Sequence, residues 1–255
     1  MIIKKSPAEI DQMAAAGEIL VRTMDLLAGK IRPGVTTQDL DVAAEKFIRS
    51  QGATPAFKGY RGFPGSICAS PNDMVVHGIP GRFKLSRGDI LSVDIGVVKD
   101  GWVADAARTF PVGDVSPIAL KLLEVTEGAL FAAVEQCRVG NKLGDVSHAV
   151  QAFVEAEGLS IVRSLVGHGI GRDMHEEPQV PNYGNPGRGT PLEEGMVLAV
   201  EPMVNAGRHM VRMGDDGWAI YSQDGSLAAH FEFTIAVTAD GPRVLNPWHE
   251  GDGAL

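Results

Sequence analysis

The sequence predicts an α/β fold built from two pseudo-twofold-related halves, each running helix, helix and then strands, closed around a central cleft. Three observations carry this expectation. Apolar residues recur at helical spacing in paired stretches. Residues of the first half reappear 106 or 107 positions later. Single acids stand inside otherwise apolar strands, where an unpaired carboxylate would destabilise the fold or take up a proton.

The first element starts at Ser6-Pro7-Ala8-Glu9, which has capping-box spacing with proline at the first helical position. Ile10, Met13, Gly17, Leu20, Met24 and Leu27 follow in steps of three and four, so an amphipathic helix should run to about Gly29. After a turn at Arg32-Pro-Gly-Val-Thr-Thr, residues Leu40, Ala43, Phe47 and Ile48 mark a second helix that stops at Gly52. Strands from about Ile90 to Val98 and from Trp102 to Phe110 are joined at Asp100-Gly101, a two-residue hairpin signal. That turn pairs residue 96 with 105. Asp105 then lies diagonal to Asp94 on one face of the ribbon, with Cβ atoms roughly 7 Å apart or less.

The second half repeats the first. Arg32, Gly34, Asp39, Ala43, Phe47 and Gly52 have identical counterparts at Arg138, Gly140, Asp145, Ala149, Phe153 and Gly158. The segment Leu85 to Asp94 recurs as Leu192 to Glu201, apolar on apolar and carboxylate on carboxylate. The two sets together imply duplication, and a cleft on the pseudo-axis would receive equivalent residues from both sides. At 255 residues and 44% hydrophobic content, one domain over 1–255 is expected, with halves of about 1–112 and 113–255.

Between the repeated strands lies Gly167-His168-Gly-Ile-Gly-Arg-Asp-Met-His175-Glu-Glu-Pro178, in which glycines and a proline crowd around two histidines. Such a composition is expected to form a shaped loop rather than a helix or a central strand, with both imidazoles converging on one point. Glu201 follows Val197-Leu-Ala-Val, and Glu232 lies within Phe231-Glu-Phe-Thr-Ile-Ala-Val, again lone acids in apolar surroundings. His230 is placed on the opposite strand face from Glu232, in a supporting role at most. His148, His209 and His249 are read as solvated.

Composition excludes several classes. A formal charge of −9 without any Lys/Arg block argues against a nucleic-acid surface, and no stretch is apolar for long enough to span a membrane. Two cysteines, Cys68 and Cys137, are too few for a disulfide framework or a thiolate cage, and the start lacks an export signal, so a cytoplasmic protein is expected. Four carboxylates and the imidazole of His168 suit Mn, Fe, Co or Zn at a two-metal hydrolytic site. The chemistry expected there is a metal-bridged hydroxide attacking a polarised carbonyl. His77 and His175, outside the ligand set, would handle protons and the developing oxyanion.

Over about Pro7 to Val244 the chain resembles the type I methionine aminopeptidases, on Asn72-Asp-Met-Val-Val-His77-Gly-Ile-Pro, Val93-Asp94-Ile-Gly with Asp105, Gly167-His168-Gly-Ile-Gly with His175-Glu-Glu-Pro, Glu201-Pro202-Met203 and Phe231-Glu232. The resemblance implies the pita-bread fold around a dinuclear site and removal of the N-terminal methionine from nascent polypeptides, with a small second residue preferred. It implies two divalent ions (Co, Mn, Fe, Zn or Ni), with Asp94 on one, His168 and Glu201 on the other, and Asp105 and Glu232 bridging. Glu201 would also shuttle the proton, His175 would contact the scissile carbonyl and His77 the substrate amide nitrogen. Tyr60, Phe63, Cys68 and Trp218 occupy the positions of the methionine pocket. A monomer acting on peptides and nascent chains is expected, with contact to the ribosome left open. The sequence departs from the family at Phe57, Val103-Ala104, Met174 and Phe233, which bears on pocket shape. X-Pro aminopeptidases and prolidases carry an additional N-terminal domain for which the 93 residues before Asp94 leave no room. Type II methionine enzymes carry a helical insertion, whereas only 30 residues separate Glu201 from Glu232.

Overall fold

The computed structural model describes residues 1–248; His249 lies outside the described residues. Four helices carry the two repeats: α1 (Pro7–Ala28), α2 (Thr37–Ser50), α3 (Pro117–Val134) and α4 (Leu143–Ala156). The Ser6 hydroxyl accepts from Glu9 N while the Glu9 carboxylate accepts from Ser6 N, so the capping box expected at α1 is formed. Its buried side carries Ile10, Met13, Gly17, Leu20, Met24 and Leu27. Gly17 is required by packing, since a Cβ there would sit 2.1 Å from Leu245 O.

The repeat is visible in the backbone. Helices α2 and α4 have 14 residues each and start 106 positions apart. Lone bridges join Thr36 to Lys84 and Lys142 to Pro191 at matching places, and Gly34 and Gly140 share φ 95°.

The strands are antiparallel throughout. Thr54–Pro55 and Cys68–Pro71 pair with Ile90–Lys99, whose other edge takes Trp102–Pro111. The hairpin has the expected register, Lys99 with Trp102 and Gly96 with Asp105, because Asp100 and Gly101 both adopt positive φ (51° and 77°). A five-stranded sheet runs Gly241–Val244, Phe233–Thr238, Val197–Val200, Val166–Gly169 and Glu176–Pro181. Two three-stranded sheets complete the fold.

The glycine-histidine stretch corrects an expectation. Gly167, His168 and Gly169 lie in an inner strand of the five-stranded sheet, and the loop is confined to 170–175. Glycine serves here to let backbones approach. A Cβ on Gly167 would be 2.3 Å from Ala199 O, and one on Gly169 2.2 Å from Glu177 O. Pro178 is tolerated because its strand is at the sheet edge.

The sheets are stitched together at the cleft by side chains. Asp105 N donates to Thr234 Oγ1 (3.0 Å), while Thr234 Oγ1 (2.8 Å) and Asn246 Nδ2 (2.6 Å) donate to Asp105 O. Glu232 N donates to Ala107 O (2.9 Å). These bonds tie Asp105 and Glu232 together where the hairpin meets the segment leading into Phe233–Thr238.

Candidate active site

Every residue assigned to the site from the sequence lines one cavity of about 220 Å³: Asp94, Asp105, His168, Glu201, Glu232, His77, His175, Tyr60, Phe63, Cys68 and Trp218. Its floor is acidic. Asp105 and Glu232 are 5% and 2% exposed, and one ligand atom from each of Asp105, His168 and Glu232 lies within 4.8 Å of the others. His168 Nε2 is 3.6 Å from Glu201 Oε1.

These carboxylates repel one another out of water. Burial, then repulsion from Asp105 and Glu201, holds the Asp94 carboxyl well above the ordinary carboxylate range. Burial and then Asp105 do the same to Glu201 and Glu232, while burial lifts Asp105 to about 7. Asp94 Oδ1, Asp105 Oδ1 and Glu232 Oε1 are buried without a hydrogen-bond partner among the described residues. Orphaned hard oxygens on three clustered acids, with Glu201 beside them, are the donor set that divalent cations satisfy. His168 completes it, because Nδ1–H donating to Gly169 O (2.9 Å) leaves the Nε2 lone pair for an ion. The residues therefore fit a divalent metal site.

The roof carries the accessory histidines. His77 has positive φ (60°), an unusual conformation for a side-chain-bearing residue, and Gly78 follows it where a Cβ would lie 2.2 Å from Ala69 O. His77 keeps solvent-facing surface at the mouth, yet surrounding protein is dense enough that desolvation lowers its pKa. His175 is brought down to about 4, by burial first and then by His168, Arg61 and His77, so it is neutral at physiological pH. Tyr60 Oη lies 2.8 Å from His175 Nδ1, and with the phenol donating, the imidazole proton resides on Nε2. That nitrogen is then a neutral hydrogen-bond donor.

An apolar wall faces these groups. Phe63 meets Trp218 edge-on at 5.1 Å, and Cys68 is the register partner of Asp94. Burial, followed by Asp94 and Asp105, raises the Cys68 thiol well above its ordinary value, so it stays protonated. The departures cluster behind this wall: Phe57, Val103 and Met174 share one hydrophobic group, and a Cβ on Gly96 would strike Phe57 and Met174 at 2.8 and 2.9 Å. Phe233 instead joins the main core, 4.7 Å from the Trp248 ring.

His230 corrects the sequence reading. It lies beside the acids, with Nε2 3.7 Å from Glu201 and 3.8 Å from Glu232, and it is 2% exposed. Residues two apart on a strand share a face, and that spacing was the signal for placing it with Glu232. Burial lowers it to about 3, which keeps it neutral. Arg61, at φ 49° on the rim, was missed because no apolar or ligand pattern marks it. His148 and His209 are exposed, as expected.

Comparison with known proteins agrees with this geometry. Residues 11–239 match metallopeptidase family M24. The chain is 53% identical over 245 residues to the methionine aminopeptidase of Clostridium perfringens, covering 96% of this chain and 98% of that one. It is 50% identical to methionine aminopeptidase 1 of Bacillus subtilis, over 96% and 99% of the two chains. The crystal structure of methionine aminopeptidase from Rickettsia prowazekii superposes with a TM-score of 0.95 at 42% identity, covering 96% of this chain and 100% of that one. A prolidase from Pyrococcus horikoshii shares the fold at a TM-score of 0.78 and 23% identity, with 96% of this chain covering 64% of that one. The fold is the pita-bread fold, and the chain belongs to metallopeptidase family M24 and, within it, to the methionine aminopeptidases.

Proposed function

We propose that this chain hydrolyses the peptide bond after an N-terminal methionine, using two divalent ions held by Asp94, Asp105, His168, Glu201 and Glu232. The observation that carries the reading is the buried floor, where acids with orphaned oxygens meet an imidazole whose lone pair is free. Asp105, His168 and Glu232, whose ligand atoms already converge, would hold the ions together with Asp94 and Glu201. Bound there, such ions would polarise a carbonyl and acidify water near neutral pH.

The protein's own groups do the rest. Glu201, raised by burial, accepts a proton and returns it to the leaving amine. Neutral His175 donates from Nε2 to the scissile carbonyl oxygen as charge develops, its tautomer set by Tyr60. His77, at the mouth, holds the substrate amide nitrogen. Tyr60, Phe63, Cys68 and Trp218 receive the unbranched thioether, which packs against aromatic and sulfur surfaces. The cavity admits a small second residue more readily than a large one. The substrates are peptides and nascent chains, and the setting is the cytoplasm, where both buried cysteines stay free thiols. The chain acts as a single catalytic domain and as a monomer.

The test uses protein dialysed free of metal and peptides beginning Met-Ala or Leu-Ala. Methionine should be released after Mn or Co is added, with far less release of leucine. No release with Mn, Co, Fe, Zn or Ni at near-neutral pH would overturn the proposal.

A further inference from the structure

Lys5 precedes the first helix and looks from the sequence like half of a basic pair beside a capping box. In the fold its side chain is 2% exposed, and Nζ lies 2.5 Å from Glu176 Oε2 and 3.0 Å from Ile3 O. Glu176 directly follows His175, and its side chain is 5% exposed. Its other oxygen, Oε1, accepts from Arg172 N (2.9 Å) and Asp173 N (3.4 Å), inside the loop that leads to His175. The contact is tight: a Cβ at 171 would lie 2.5 Å from both Glu176 Oε1 and Lys5 Cε and would displace them.

The clasp is anchored at both ends. Lys5 N donates to Gly195 O (2.7 Å), in the turn just before the strand that leads to Glu201. On the opposite side Val103 N donates to Gly171 O (2.9 Å), and the Arg172 guanidinium sits 4.0 Å over the Trp102 ring. The loop is thus gripped between the N-terminal segment and the hairpin that carries Asp94 and Asp105.

Stability alone does not account for such a pair. Desolvating two charges usually cancels what their attraction returns, so apolar residues of similar volume would hold the core as well. An ion pair adds directional geometry instead. We propose that Lys5 and Glu176 are positioning residues: their buried ion pair fixes the 171–175 loop so that the His175 ring is delivered to the scissile carbonyl. This rests on the reading of His175 given above. It makes residues 3–5, remote from the cavity, part of what sets the catalytic rate.

A double-mutant cycle in the Mn-loaded full-length enzyme tests this, with kcat and KM measured on a Met-Ala peptide beside metal content and thermal midpoint. Lys5→Met should lower kcat about tenfold or more while KM and metal stoichiometry hold, since an ångström-scale displacement of a catalytic group is costly. In a His175→Ala background the same substitution should change kcat by less than about twofold, because residues acting through one another are not additive. An equal fall in both backgrounds, or no fall in the wild type, overturns the positioning role. An unimpaired His175→Ala enzyme overturns instead the reading of His175 and this inference with it. Should Lys5→Met not fold, Glu176→Gln, whose single oxygen can keep the contacts to Arg172 N and Asp173 N while its amide NH2 cannot accept from Lys5, runs the same cycle with the same outcomes.

Discussion

Asp105→Asn should make the metal-free protein increasingly more stable than the wild type as pH rises from about 4 to 7. Burial places the Asp105 carboxyl at about 7 in the folded chain, against an ordinary 3.8. Between those values the folded state holds a proton that the unfolded state has released, so stability falls as pH rises through this window. The proton's contribution is about 3 kcal/mol at pH 5 and is nearly gone by pH 8. Asparagine mimics the protonated acid at every pH. The variant should therefore gain about 3 kcal/mol on the wild type between these pH values, or about 6–12 °C in thermal midpoint for a chain of this size. The repulsion Asp105 exerts on Asp94, Glu201 and Glu232 disappears with it, in the same direction. Histidines 77, 168, 175 and 230 have lowered pKa values and push the other way, gaining stability as pH rises toward 6.5, but they are present in both proteins and cancel. The assay is thermal denaturation after exhaustive chelation at pH 5, 6, 7 and 8. A gap between the two proteins that stays constant with pH would refute the reasoning. Saturating Mn should reverse the order, since ions bind the deprotonated acids of the wild type.

Glu232→Gln should weaken divalent-ion retention by tenfold or more, read as metal content after dialysis, because it removes one of the orphaned buried oxygens; full retention would remove Glu232 from the ligand set. Tyr60→Phe should lower kcat by about tenfold through loss of the hydrogen bond to His175 Nδ1; an unchanged rate would mean that the tautomer is set elsewhere. Gly169→Ala should lower the thermal midpoint by several degrees, as its Cβ would meet Glu177 O at 2.2 Å; an unaltered midpoint would show that the strands separate freely there.

The parts of the site legible in the sequence were those fixed by local rules. A two-residue Asp-Gly turn allows one register, so the pairing of Gly96 with Asp105 and the shared face of Asp94 and Asp105 followed from it. The capping box at Ser6 and the repeat at α2 and α4 were equally local. What was lost depended on tertiary context. Gly167 and Gly169 look like loop residues in the sequence because glycine breaks isolated strands, whereas here it admits a neighbouring backbone at close range. The pairing of Lys5 with Glu176 spans 171 positions and joins two residues that look solvated in isolation. Strand order in the sheets, and the side-chain bonds from Thr234 and Asn246 that seat Asp105, left no pattern in the sequence. His230 is legible from the sequence because two positions along an extended chain return a side chain to the same face as Glu232.

The central claim is that five side chains from separate parts of the chain hold divalent ions in one buried cleft. Anomalous scattering from crystals equilibrated with Mn tests it most directly. Density is expected among Asp94, Asp105, His168, Glu201 and Glu232 and should vanish in Asp105→Ala; a cleft without a peak, or peaks bound elsewhere on the molecule, would contradict it.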